Sequence, residues 1–510
     1  MAATFLSSIF GLLRNMYIAW LFGRSWRADA FMAAFQLPDQ IAYFLVGGAA
    51  SITFVTILTR YREAGREADG ERSLSVILTT MYIVLGAAIV LAELFAPWYV
   101  HRFFSGFDAQ KAALCVELTR ILLPAQLCFF AGGVFGAVLL VRKQFNVQAV
   151  APLIYNLGTI VGGLLLVKKM GITSLALGTV AGALCGPFLL NWFFARRAGV
   201  RYRPILDWHD EGLREWVRLS LPLMAGVSLV TADTWIINYF ASSTNGAIAL
   251  MTYAKRLFVA PMSMLAQAAG VASMPFFASL WSQNKKYEFA TQVADSVSRV
   301  ASLGLLAASA MAALAVPLVD MLFTGGHFDH ADARQCALYF SVFSASLFLW
   351  SAQAIYSRAF YAAGNTFVPM VAGTIVTVVS LPIYNMLYRS HGAMGLAMAS
   401  DAGISMQTLL IALLLHKRQM VSLASLDFAE MGRCLLAGAT GGLGATLVAR
   451  GFDWIAAHHG AAQHARLVDL ASLAAGSAIW LLLAWLVLEK TGSALPRVTL
   501  RRLGLKPRRA

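Results

Sequence analysis

"IFGLLRNMYIAWLFG", residues 9–23, is an apolar run with one arginine, Arg14, near its middle. A guanidinium at the centre of a helix that crosses hydrocarbon costs about 2.5–3.5 kcal/mol on insertion scales, so it persists where it meets a cavity or a partner. The composition makes the hydrocarbon real. Of 510 residues, 59% are hydrophobic and 13% charged, with mean hydropathy +0.67, far from the balance of a soluble globular chain. The reading that follows is an all-α polytopic membrane protein.

Apolar windows long enough to span, which takes ~20 helical residues, recur along the whole chain. They predict about fourteen spans, near 3–22, 30–58, 74–99, 112–141, 147–167, 172–195, 219–241, 246–280, 291–323, 334–363, 366–387, 392–415, 429–449 and 468–488. These are numbered spans 1 to 14 below. Continuous apolar runs, rather than alternating ten-residue strands, exclude a barrel.

Basic residues gather after even-numbered spans: Arg60, Arg62, Arg66 and Arg72; Arg142 and Lys143; Arg196, Arg197, Arg201 and Arg203; Lys285 and Lys286; Lys417 and Arg418; and the tail "RVTLRRLGLKPRRA". Odd-numbered loops such as "ASSTNGA" and "TGGHFDHADA" are poor in them. The positive-inside rule therefore places both termini in the cytoplasm. The net charge of +15 is accounted for by topology and contact with acidic membrane lipid, leaving no case for nucleic acid. Cys115, Cys128, Cys185, Cys336 and Cys434 are scattered without metal-ligand spacing and read as small buried hydrophobes. The first span lacks a basic leader and a convincing cleavage site, so it reads as a retained helix.

"GITSLALGTVAGA" (171–183) and "GAMGLAMASDAGI" (392–404) match at Gly171/Gly392, Leu175/Leu396, Ala176/Ala397, Ala181/Ala402 and Gly182/Gly403. Pro152 and Pro369, and Leu37 and Leu257, keep a similar spacing. The expected organisation is an N-terminal six-helix half (1–200) and a cytoplasmic linker (201–218), with an interfacial helix in "DEGLREWVRLSLP" (210–222). A second six-helix half (219–418), two additional helices (419–490) and a basic cytoplasmic tail (491–510) follow. Two halves facing each other across a central cavity is a transporter design.

Other ionisable residues inside spans are Asp39 beside Pro38, Glu93, Asp233, Lys255, Arg256 and Asp401. Glu117 with Arg120, and Asp295 with Arg299, have the spacing to pair on one helix face. Arg14 has no acid three or four residues away. If spans 1 and 8 line the cavity, Arg14, Lys255 and Arg256 make it cationic and suited to phosphate, which the arginine fork binds through two oxygens.

"RADAFMAAFQLP" (27–38), "YAKRL" followed by Pro261, and "SRAFYAAGNTFVP" (357–369) resemble signature stretches of the MurJ/MviN family, within the multidrug/oligosaccharidyl-lipid/polysaccharide exporter superfamily. The similarity runs in order along nearly the whole chain. The resemblance implies flipping of lipid II, the undecaprenyl-diphosphate-linked peptidoglycan precursor, across the bacterial inner membrane by alternating access. It implies substrate-binding roles for Arg14, Arg256 and Asp29, to which Lys255 and Asp39 are added from their own places inside spans 8 and 2. The two aspartates would hold the arginines apart or take part in coupling to membrane potential, Na+ or H+. The simpler alternatives are a helix cap at the start of span 2 for Asp29 and a partner to the proline kink for Asp39.

No enzymatic motif is present, and no cofactor is expected. The glycine-rich "GATGGLG" (438–444) lies inside span 13, where small residues permit close helix packing. The chain departs from the family pattern at Ser8 and Ala42, where arginine is usual, at Val259, where an acid is usual, and at Asp39, where asparagine is usual. Lys255 adds a cation where an acid is common, and the N-terminus is shorter than the pattern, which suggests a truncated or misassigned start. These departures open alternatives: a flippase for another polyprenyl-linked or anionic amphiphile, or a scaffold that recruits cell-wall enzymes.

Overall fold

In the computed structural model, residues 2–46, 54, 57–142, 144–225, 229–458 and 465–497 are described. Helix dominates, and no β-strand occurs among these residues beyond an isolated bridge between Gly325 and Phe328. Among the described residues, eight helices are long and apolar enough to cross a membrane, or nine if the pair His330–Ala345 and Leu347–Ala362, bent by 42°, forms one span. They correspond to spans 3–6, 9–12 and 14. The chain is a multi-pass, all-α membrane protein. Lys143 and residues 498–510, which hold most of the expected basic tail, lie outside the described residues.

Spans 2 and 8 are not continuous α-helices. In span 2, Trp26–Ala34 stops at Phe35, Gln36–Ile41 follows, and the backbone then widens into a π turn, Ala42–Val46. In span 8, Ala247–Met262 gives way to the π turn Ser263–Gln267 and then to Ala268–Ser282. These two π turns each follow a proline, Pro38 or Pro261, which lacks the N–H that a regular α ladder needs. Such turns in helices concentrate at functional sites. Span 7 is made of Glu211–Ala225 and Leu229–Ala241.

The chain divides into two compact units. Unit 1 comprises Met1–Val227 with Ala241–Ala249; unit 2 comprises Ser228–Phe240 with Leu250–Ala510. The core of unit 1 packs Leu74, Ile77, Phe130, Phe135 and Trp216, among others. Trp216, expected at a membrane interface, is 2% exposed and sits 5.7 Å from Phe54. The 210–222 stretch is thus helical, with its tryptophan turned into the protein. Unit 2 is centred on Phe277, Phe289, Val297, Ile355 and Phe360.

The internal repeat has a backbone counterpart. Gly171 ends Phe145–Met170 at φ 56°, ψ −134°, and Gly392 ends Phe367–His391 at φ 58°, ψ −141°. Side chains rarely adopt that conformation, so glycine is demanded at both turns. The two proposed same-helix ion pairs do not form. Arg120 donates instead to the backbone carbonyl of Glu93 at 3.1 Å, and Glu117 accepts from Thr173 at 3.3 Å. Asp295 and Arg299 make no ion pair with one another. Of the cysteines, Cys185 is exposed, not buried.

Candidate functional site

Unit 1 places Arg14 and Asp39 together. Arg14 is half-buried on the helix Ala2–Phe22, its guanidinium 5.7 Å from the centre of the Tyr155 ring. Its Nε is buried and has no hydrogen-bond partner. Asp39 is exposed on the short helix after the span 2 break, and Arg14 is the positive charge that acts on it. Nearby on the same segment, Gln36 is 3% exposed with both side-chain polar atoms unpartnered, while Gln40 accepts from Tyr99 at 2.8 Å. A guanidinium N–H left without an acceptor is costly unless something else satisfies it.

Asp29 does something different from what the sequence suggested. The N-cap of Trp26–Ala34 is Ser25, whose hydroxyl accepts from Ala28 N at 3.3 Å. Asp29, fully buried one turn on, accepts from the ammonium of Lys111 at 2.8 Å, from Gly246 N at 2.6 Å and from Ala249 N at 2.9 Å. It therefore caps the helix that opens span 8, not the one that opens span 2. A carboxylate at a helix N-terminus satisfies orphan amides and suits the helix dipole. Lys111 is itself 1% exposed and also donates to Asn245 at 3.2 Å. Asp29 is enclosed by its protein partners.

Unit 2 holds Lys255 and Arg256 on Ala247–Met262. Both line an open cleft of about 920 Å³ with Thr234, Asn238, Phe258 and Trp350. Lys255 is ion-paired with Asp233 and donates to Thr234 Oγ1 at 2.9 Å. Asp233 is 1% exposed, and its other oxygen accepts from the hydroxyl of the fully buried Tyr384. Asp401, with one buried oxygen that lacks a hydrogen-bond partner, lies within electrostatic reach of Asp233. Lys255, expected to add to a positive cavity, has its charge balanced by Asp233. Arg256, the other cation of that pair of neighbours, lines the same cleft.

Sequence reasoning noted Asp233 but passed over Lys111, Asn245 and Tyr384 as site partners. Lys111 stands in "DAQKAALCVELTR" at the beginning of span 4, where a lysine ordinarily reaches water. Only the folded chain brings it to Asp29.

The family model described as lipid II flippase MurJ matches residues 18–454. A probable lipid II flippase MurJ of Haemophilus influenzae is 30% identical over 431 residues, covering 80% of this chain and 83% of that protein. The corresponding Vibrio cholerae protein is 26% identical over 450 residues, covering 86% of each. In fold, the chain is similar to a solved lipid II flippase MurJ in an inward closed conformation, with TM-score 0.77 and 20% identity over 96% of this chain and 98% of that one. It is also similar to an inward-facing multidrug resistance transporter of the MATE family, with TM-score 0.67 and 16% identity over 81% and 94%. Continuous agreement from the helix bearing Arg14 to span 13 leaves one assignment: the chain belongs to the lipid II flippase MurJ family.

Proposed function

We propose that this chain flips lipid II across the inner membrane by alternating access. A headgroup carrying a diphosphate and a sugar-peptide is too polar for hydrocarbon, whereas its polyprenyl tail can remain in lipid. The protein has to shelter only the headgroup. The observation that carries the reading is Arg14: a mid-span guanidinium whose buried Nε has no partner, beside an exposed aspartate, in a chain that matches the family along 18–454. A diphosphate oxygen supplies the missing acceptor, and charge-assisted bonds of this kind are roughly twice as strong as neutral ones. Arg256, which lines the cleft of unit 2, is a second guanidinium suited to phosphate. Asp39 holds Arg14 when no cargo is bound.

Both termini are cytoplasmic in this proposal, as the distribution of basic residues requires. Transport is coupled to membrane potential, Na+ or H+ through the intramembrane carboxylates. Cell-wall synthesis enzymes are the expected protein partners. A second reading, another polyprenyl-linked or anionic amphiphile as cargo, is favoured by the Lys255–Asp233 pair, which removes one positive charge from the cleft, and by Ser8, Ala42 and Val259.

The test is complementation in a bacterium whose own lipid II flippase can be shut off, using the parent, Arg14→Ala and Arg256→Ala, with membrane insertion verified for each. Growth with the parent and lysis with both variants is expected. Lysis with an inserted parent overturns lipid II as the cargo in that host. Growth with both variants removes the arginines from the mechanism.

A further inference from the structure

Unit 1 has another cationic site, where the chain leaves span 6. The helix Asn191–Arg197 closes with Val200 N donating to Ala195 O at 3.1 Å, and Gly199, at φ 92°, reverses the chain. The following segment is tied to the helix Glu67–Phe103. Arg203 N donates to Ser75 Oγ at 3.3 Å, and the hydroxyls of Tyr202 and Thr79 share a hydrogen bond at 3.0 Å. Beside the turn lies a cleft of about 1300 Å³ lined by Phe135, Trp192, Tyr202 and the three arginines Arg196, Arg201 and Arg203.

Those arginines are exposed, and among the described residues no carboxylate lies within 4 Å of any of them. Acids nearby are committed elsewhere. Glu71 faces Arg142 at 3.7 Å, and Asp207 takes Arg72 at 3.1 Å. Arg196 lies over the Trp192 ring, 5.6 Å from its centre, which fixes one guanidinium at the rim. An orientation signal needs positive charge at the end of a span. It does not need a concave site with its backbone pinned and an aromatic wall.

We propose that this cleft binds a phosphate-bearing anion, and that its source is the headgroup of an acidic phospholipid in the adjoining leaflet. Guanidinium forks match phosphate oxygens in pairs. Trp192, one helical turn before Arg196 and only part-buried, is of the type that settles at headgroup depth. The proposal stands on unit 1 alone and is independent of the cargo the chain moves.

The test uses the full chain, delipidated in detergent, with native mass spectrometry counting retained phosphatidylglycerol against phosphatidylcholine. Arg201→Gln with Arg203→Gln removes two charges from the cleft, and Lys285→Gln with Lys286→Gln removes two from another loop. Arg196→Gln, which leaves the tied segment untouched, repeats the comparison should the double variant fold poorly. The expected result is about a tenfold or greater loss of phosphatidylglycerol affinity in the cleft variants and none in the loop variant. Equal loss in both, or no loss in either, overturns the site. Inorganic phosphate is titrated as a competitor: displacement of the lipid at concentrations comparable to the lipid's own overturns the phospholipid as the source, and failure to displace it supports the proposal.

Discussion

Each unit contains a buried aspartate joined to a lysine, and the two pairs are built for different ends. In unit 1, Asp29 and Lys111 are 0% and 1% exposed, and Asp29 has two backbone amides as further donors. In unit 2, Asp233 is 1% exposed, but Lys255 is 18% exposed and lines a cleft. A sealed pair has no route by which its charges can be exchanged for solvent or cargo, so its work is to fix backbone. An ammonium that reaches open space can trade its carboxylate for another anion. The comparison separates residues that a sequence motif alone had grouped together.

The comparison breaks most readily at Lys111. Lys111→Ala leaves Asp29 buried and uncompensated, and it should destabilise unit 1 by about 3–5 kcal/mol, seen as a large fall in thermal midpoint in detergent. Asp29→Asn combined with Lys111→Met should recover part of that fall, because both charges are removed while the amide oxygen still accepts from the backbone amides. A midpoint for Lys111→Ala equal to the parent's would end the distinction between sealed and open pairs.

Lys255→Met should cost less, about 1–2 kcal/mol, since Lys255 stands at an open cleft where water can take the place of its ammonium, whereas Lys111 is sealed. Its sharper signature is on cargo: the variant leaves the Asp233 charge unbalanced beside Arg256, so binding of a diphosphate lipid should weaken while the protein still folds. A variant that binds as the parent does would place the lysine outside the mechanism.

The smallest effect belongs to the exposed pair Arg72–Asp207. The His209 amide, and then Arg72, hold the Asp207 carboxyl below its ordinary value. A lowered folded-state value means the contribution is present above the unfolded value of about 3.9 and is lost as pH falls through the lower folded one. Arg72→Gln should therefore leave the midpoint nearly unchanged at neutral pH, and any difference from the parent should vanish in acid. A large neutral-pH loss would show that exposed pairs here act as buried ones do.

Much of the fold was legible because hydrocarbon imposes a simple rule: long apolar runs become helices, and the spans followed from counting. The repeat was legible at Gly171 and Gly392 because an unusual backbone conformation demands one residue type. The breaks in spans 2 and 8 were marked by Pro38 and Pro261, but proline signals a lost hydrogen bond without saying that a π turn follows. The site was harder to read. Arg14 stood out through its cost, whereas Lys111 looked like an ordinary lysine at a helix start, and its importance comes from a partner 82 positions away. Lys255 was correctly singled out as unusual, yet its charge balance depends on Asp233 of another helix, a fact that spacing along one helix does not contain.

The π turns have a consequence for how length variation is tolerated in these helices. A π turn is an α-helix carrying one residue too many, so deleting a single residue from Ala42–Val46 or Ser263–Gln267 would restore regular winding. At 3.6 residues per turn, an extra residue carried in regular winding would rotate everything beyond it by about 100°; the widened turn absorbs that residue locally, so the helix on either side keeps its bearing when it is lost. In span 8, Lys255 and Arg256 before the turn and Phe277, buried in the core of unit 2 after it, would each keep their faces. Each turn thus works as a one-residue buffer between a polar half of a helix and an apolar half, leaving both faces as they are set.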